Sequence, residues 1–369
     1  MQNNNDTISI NQMIFILMLT MVGTGILTLP RSLAEAAPYD QWIILLAGGL
    51  LALSIALIHG LIIKLSPNKQ YFQILCDALT KPVAYVIGFV YIIYLIGMIA
   101  LITRTFGEVI KAFLLTRTPL EVINVSILAV SVYLARRGVE VLARMMEFIF
   151  PILILFSIFI FGLSFLGSDF SNLLPVFEIE FNDIIKGLPV TLTSFIGFEM
   201  ILFFGGYLDK PQNATKSYRA IIAVLFFYLL TVIATFAQFG PIQMKYLVWP
   251  MIDLFYTIRL PGLFIENVQV IVMSLWILAI FSTIAPMHLA AVTMAESITK
   301  SKDQAYLAAP FLPIIYFISI IPENISENHK LLGMYANYFS SIMILVIPLI
   351  ILISLVIQKK LRKEAKPNA

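Results

Sequence analysis

Charge, cysteine and histidine are all scarce in this chain of 369 residues. Acidic and basic residues together make up 12% of it, about half the usual share in a soluble domain. Too little charge remains to solvate a surface, which excludes a separate soluble catalytic domain. The single cysteine, Cys76, lies in a polar connection and excludes an intrachain disulfide or a thiolate metal centre. His59 and His288 fall inside apolar runs with no carboxylate or second histidine at ligand spacing, so no metal site is expected. No serine, histidine and acid constellation, zinc signature or phosphate loop occurs, so neither enzymatic catalysis nor a cofactor is expected. Basic residues sit in short connections and not in a continuous patch, which argues against nucleic acid as a partner. Met1 to Asn11 has no positively charged stretch, and the first apolar run shows no small-residue cleavage pattern, so no cleaved signal peptide is expected.

What the chain has in abundance is apolar sequence: 60% hydrophobic residues and a mean hydropathy of +0.94. A lipid bilayer is the solvent that suits such a composition. Roughly 20 apolar residues cross a bilayer as a helix, and the runs predict ten spans, at about residues 12–34, 41–65, 82–113, 119–135, 142–166, 184–206, 217–239, 265–295, 305–321 and 333–357. The expected fold class is therefore all-α, a polytopic membrane protein with one permease-like transmembrane domain over residues 1–369. Within it, 12–166 form a first five-helix repeat, 184–357 a second, inverted one, and 358–369 a basic tail. Residues 240–266 are long for a turn and suit a re-entrant or surface-lying outer segment, or an ordinary long loop.

Cations set the expected orientation. With the N-terminus in the cytoplasm, the inward connections contain Lys64, Lys69 and Lys81; Arg136, Arg137 and Arg144; Lys210, Lys216 and Arg219; and Lys300 and Lys302. The tail adds Lys359, Lys360, Arg362, Lys363 and Lys366. Outward connections hold only scattered cations such as Arg117, Lys245, Arg259 and Lys330, and the stretch after span five carries Asp169, Glu178, Glu180 and Asp183. This bias predicts that both termini are cytoplasmic.

Glycines mark two spans. Span one contains Gly23-Thr24-Gly25-Ile26 near its middle, and span six contains Phe195-Ile196-Gly197-Phe198-Glu199 at similar depth. Each glycine costs a helix about 1 kcal/mol relative to alanine, so both spans are expected to be interrupted. Span six begins the second set of five, and an odd number of spans per set inverts the second half. In inverted repeats, paired breaks free backbone groups at the midplane, where helix ends receive a solute's charged groups. The competing explanation is close helix packing, which small residues also permit.

Gly23-Thr24-Gly25-Ile26-Leu27-Thr28-Leu29-Pro30 followed by Asp40-Gln41-Trp42, together with Phe195-Ile196-Gly197-Phe198-Glu199, resembles the B subunit of GerA-type bacterial spore germinant receptors. The Gly-x-Gly-Ile-Leu portion is shared with the wider amino acid/polyamine/organocation transporters. The resemblance implies a five-plus-five inverted repeat and a role in sensing small nutrients, often amino acids, at the spore inner membrane. It also implies partnership with a larger membrane-anchored A subunit and a lipoprotein C subunit. In the resembling superfamily, spans three and eight pack against the broken helices, so the expected ligand-binding set is Gly23, Thr24, Gly25, Ile26, Tyr94, Met98, Phe195, Gly197 and Thr283. Ordinary bundle packing for Tyr94 and Met98, and back-bonding within its own helix for Thr283, are equally open.

Ionisable residues inside spans are functional hypotheses by default. Glu199, just past the span-six break, suits binding an ammonium group, carrying a proton or capping the broken helix. Arg104 and Glu108 are four apart on one face of span three and suit either a structural ion pair or a coupling element. Glu147 is expected to pair with Arg144 at the inner interface, His59 to face the headgroups, and His288 to use a carbonyl freed by Pro286. A secondary transporter coupled to protons through Glu199, and a ligand-opened conduit for water or ions, remain alternatives to a receptor subunit.

Overall fold

The structure, a computed structural model, describes residues 6–37, 39–257, 268–301 and 304–364. Arg259 and Lys302, with the rest of 258–267 and 302–303, lie outside the described residues. Helices occupy the described part of every expected apolar run. They are α1 (Ile10–Ala36), α2 (Gln41–Leu65), α3 (Tyr71–Ala78), α4 (Lys81–Phe113), α5 (Leu120–Ala135), α6 (Val139–Phe165), α7 (Phe181–Ser194), α8 (Met200–Phe204), α9 (Tyr218–Met244), α10 (Pro250–Thr257), α11 (Val268–Thr299), α12 (Ala305–Ser319), α13 (Ile325–Met334) and α14 (Ile347–Glu364). Among the described residues, six helical segments are long and apolar enough to cross a membrane, and the two halves of bent α1 make a seventh. α5 and α12 are shorter apolar helices, and the sixth run is divided between α7 and α8.

Helix starts follow local chemistry. Ser9 caps α1 reciprocally: its Oγ accepts from Gln12 N–H at 3.2 Å, and Gln12 Oε1 accepts from Ser9 N–H at 3.0 Å. Just before this cap, Ile8 N–H donates to Tyr207 O at 2.9 Å and Asp209 N–H donates to Ile8 O at 3.0 Å. The start of α1 is thereby tied to the chain beyond α8. Inside the bundle, Thr20, Thr105 and Thr191 return their hydroxyls to Ile16 O, Leu101 O and Gly187 O, which satisfies polar groups where no water is available.

α1, α4 and α11 form the interior. α1 packs against α6, α7, α9 and α11, and α4 against α5, α11 and α12. α6 instead exposes Phe148, Leu155, Ile158 and Phe159, an apolar face suited to lipid. Two expectations about the connections change. The polar stretch holding Cys76 contains amphipathic α3, which buries Tyr71, Phe72, Ile74 and Leu75. Part of 240–266 forms α10, whose Met251, Ile252 and Leu254 are buried, so α10 packs into the bundle.

Candidate functional site

The site is built where α1 and the α7–α8 run are interrupted. α1 bends by 54° between Ile10–Gly23 and Gly25–Ala36. The Gly23 carbonyl accepts from Trp276 Nε1–H at 3.1 Å, the Met21 carbonyl lies 2.8 Å from the Tyr228 hydroxyl, and Thr283 Oγ1 lies 3.4 Å from Leu19 O and 3.3 Å from Ala279 O of its own helix. Side chains thus satisfy backbone groups around the bend, as a dry interior requires.

The second break runs from Phe195 to Glu199. Gly197 has φ +123°, a conformation that L side chains rarely adopt. It also lies against α1, where a Cβ would stand 3.0 Å from the Thr20 carbonyl carbon and 3.1 Å from Met21 N. The two breaks therefore touch through backbone. Glu199 is fully buried and turns back on its own loop: Oε2 accepts from Gly197 N–H at 2.7 Å and Oε1 from the Tyr94 hydroxyl at 2.9 Å. Tyr228 bridges both breaks, its hydroxyl lying 2.8 Å from Met21 O and 2.8 Å from Ser194 O.

A cavity of about 320 Å³ opens beside these breaks, within the size range of small-molecule sites. Gly25, Met98, Ser194 and Ile196 line its deep end, and Arg31, Glu35, His329 and Lys330 lie further along α1 and on α13. At Gly25 a Cβ would stand 2.7 Å from Ser194 O and would meet the Tyr228 hydroxyl, so a side chain there collides with the strut that joins the breaks.

Of the expected binding residues, Gly25 and Met98 line this cavity. Ile26 lines a separate apolar cavity of about 80 Å³ with Trp276 and Phe255. Tyr94, Phe195 and Thr283 are buried behind the site, with the Tyr94 hydroxyl on Glu199. Gly23 faces Thr283 on α11, and Gly197 supports the break. The side chain of Thr24 lies outside what the structure describes. Arg104 and Glu108 pair at 2.8 Å, and Arg104 also donates to Glu323 O at 3.3 Å, which ties α4 to the segment before α13.

Three local expectations are corrected. Arg144 pairs with Glu140, one turn earlier on its helix, and Glu147 instead accepts from Gln12 Nε2 at 3.0 Å. His59 is fully buried, bonded through Nε2 to Ile344 O at 2.8 Å and packed on Phe198, because α14 and the segment preceding it cover α2. His288 does not use the carbonyl freed by Pro286. It meets Ser131 Oγ at 2.8 Å and Ala308 O at 3.2 Å. Sequence reasoning also missed Tyr228, Trp276, Ser194 and His329. Arg31 and Glu35 carried a signal in their i,i+4 spacing just past the break.

A family model described as spore germination protein matches residues 7–328. The chain belongs to the spore germination protein family. Among the family's members, spore germination protein A2 of Bacillus subtilis (strain 168) is 32% identical over 267 residues, 72% of this chain and 73% of its own. Spore germination protein B2 of the same organism is 26% identical over 367 residues, 98% of each chain. Spore germination protein GerLB of Bacillus cereus is 26% identical over 347 residues, 92% of each. Among solved structures, MhsT in complex with L-phenylalanine superposes with a TM-score of 0.69 at 13% identity over 96% of both chains. Mhp1, a nucleobase-cation-symport-1 transporter in a closed conformation with bromovinylhydantoin bound, gives 0.61 at 12% identity over 93% of this chain and 80% of its own. The family and these neighbours are permease- and transporter-like, and the chain is a multi-pass, all-α membrane protein with a transporter fold.

Proposed function

We propose that this chain is the B-type membrane subunit of a spore germinant receptor, and that a small nutrient of the amino acid class binds at the deep end of the cavity. The observation that carries this reading is the cavity itself, which ends on Gly25 of one break and Ser194 and Ile196 of the other. A ligand seated there touches both halves of the bundle at the point where Tyr228 and Gly197 join them. Closing around it moves one break against the other, a differential contact of the kind a switch requires. Met98 supplies an adaptable apolar wall. Glu199, Tyr94, Phe195, Gly197 and Thr283 hold the breaks in shape from behind, and Arg104, paired with Glu108, ties α4 to the segment before α13.

Membership of the family supports a wider assembly with two partner subunits, and the cation bias of the connections supports the orientation. An A-type membrane subunit and a C-type lipoprotein receive the change of shape, the two termini face the cytoplasm, and the two sets of five spans form an inverted repeat. In that orientation the cavity opens outward, and the contacts of Ile8 with Tyr207 and Asp209 close the inner side. The test is a strain in which this protein is the sole B-type subunit. Gly25→Leu is expected to abolish the nutrient response at normal protein level, and an unchanged response overturns the site.

Glu199 favours a second reading, proton-coupled transport, because a carboxyl buried at a break and held by a tyrosine hydroxyl is suited to carrying a proton. Purified protein in liposomes then accumulates labelled amino acid down an imposed proton gradient, and Glu199→Gln uncouples it. Absence of uptake over a broad panel favours the receptor.

A further inference from the structure

The outer part of the cavity is chemically unlike its deep end. From Gly25 to Arg31 is six residues of helix, about 9 Å at 1.5 Å per residue, and Glu35 lies one turn beyond on the same face. Glu35 meets Arg31 through Nε, at 2.9 Å, and among the described residues no group engages the two terminal guanidinium nitrogens, which leaves them to a ligand. Opposite, on α13, stand His329 and Lys330. His329 Nε2 is a buried nitrogen with no hydrogen-bond partner, and no ion pair engages Lys330 among the described residues. Two permanent cations and one carboxylate therefore line this part of the wall, together with a buried imidazole nitrogen that has no hydrogen-bond partner among the described residues.

From this we infer that the cavity mouth is a capture subsite for solutes bearing a carboxylate. The terminal nitrogens of Arg31 offer the forked geometry that a carboxylate accepts in two parallel bonds. His329 Nε2–H adds a third donor in one tautomer, and Lys330 supplies a point charge at the rim. Glu35 fixes the guanidinium plane and repels ligands with a second negative group. A concave wall of one prevailing sign raises the local concentration of the opposite sign. The subsite deepens the nutrient-binding proposal and rests on it for its purpose: it gives the carboxylate of that nutrient a first point of contact outside the breaks. The captured solute then moves about two helical turns inward to the breaks.

Thiol labelling reads the mouth without requiring any ligand at the breaks. In the full chain with Cys76→Ala and Ser32→Cys, reconstituted in phosphatidylcholine vesicles, Ser32→Cys places the only thiol in the cavity wall. Methanethiosulfonates carrying a sulfonate, a trimethylammonium or no charge are compared with their rates on free cysteine. The normalised anionic-to-cationic ratio is expected to be about tenfold, the low end of such focusing. Lys330→Gln is expected to reduce the ratio and Lys330→Arg to restore it, while the uncharged reagent's unchanged rate shows that each variant is folded. Acetate is expected to slow the uncharged reagent, and acetamide is not. A ratio equal to that on free cysteine, equal protection by acetamide, or no labelling by any reagent overturns the subsite. A normal ratio in a protein whose Gly25→Leu variant still responds to nutrient overturns the deep site alone.

Discussion

The Tyr228 hydroxyl donates to Ser194 O at 2.8 Å, at the last residue of α7 before the second break. The same oxygen lies 2.8 Å from Met21 O on α1, so one side chain of α9 holds both interrupted helices. Tyr228→Phe keeps the edge-on packing against Phe195 but removes the one hydroxyl that these two carbonyls share in a dry interior. A loss of about 1–3 kcal/mol is expected, visible as a lower melting temperature of the purified protein together with a raised nutrient threshold. An unchanged melting temperature would remove the strut from the account.

Gly25 shows the steric side of the same contact. Even Gly25→Ala places a methyl group 2.7 Å from Ser194 O and against the Tyr228 hydroxyl, so the breaks must separate. Gly162→Ala is the matched control, because nothing lies within 4 Å of a Cβ there. The first variant is expected to impair the nutrient response and the second to leave it intact, read as germination rate at equal protein level.

How much of this was legible in the sequence depends on where each partner lies. Apolar runs of span length were readable along the chain, as were the glycines at both breaks, because a helix-weakening residue in a membrane span is a local signal. Tyr228 was not readable. Its partners are backbone carbonyls 207 and 34 residues away, and no pattern of residue types records a carbonyl. His59 reads as interfacial from its place along α2 alone, whereas the last span covers it and presents Ile344 O. Arg144 has two glutamates at helical spacing, Glu140 and Glu147 on nearly the same face, and spacing alone does not choose between them.

Glu199 and Tyr94 form a pair whose energetics can be separated. Glu199→Gln can keep an acceptor on Gly197 N–H and donate to a rotated Tyr94 hydroxyl, so its stability is expected to stay within about 1 kcal/mol of the parent. Glu199→Leu leaves Gly197 N–H and the Tyr94 hydroxyl without this acceptor and is expected to cost about 1–3 kcal/mol for each. In a double-mutant cycle with Tyr94→Phe, a coupling energy of about 0.5–3 kcal/mol is expected from thermal unfolding. Strict additivity would show that the 2.9 Å contact contributes nothing.

Equilibrium binding to the purified full chain tests the central claim most directly. A panel of radiolabelled L-amino acids, including alanine, valine, leucine and phenylalanine, is dialysed against the parent protein and against Gly25→Leu, with Gly162→Ala alongside. Saturable binding of at least one of them to the parent and to Gly162→Ala, and its loss in Gly25→Leu with the fold intact by thermal unfolding, is the predicted result. Undiminished binding to Gly25→Leu would contradict the placement of the ligand between the two breaks.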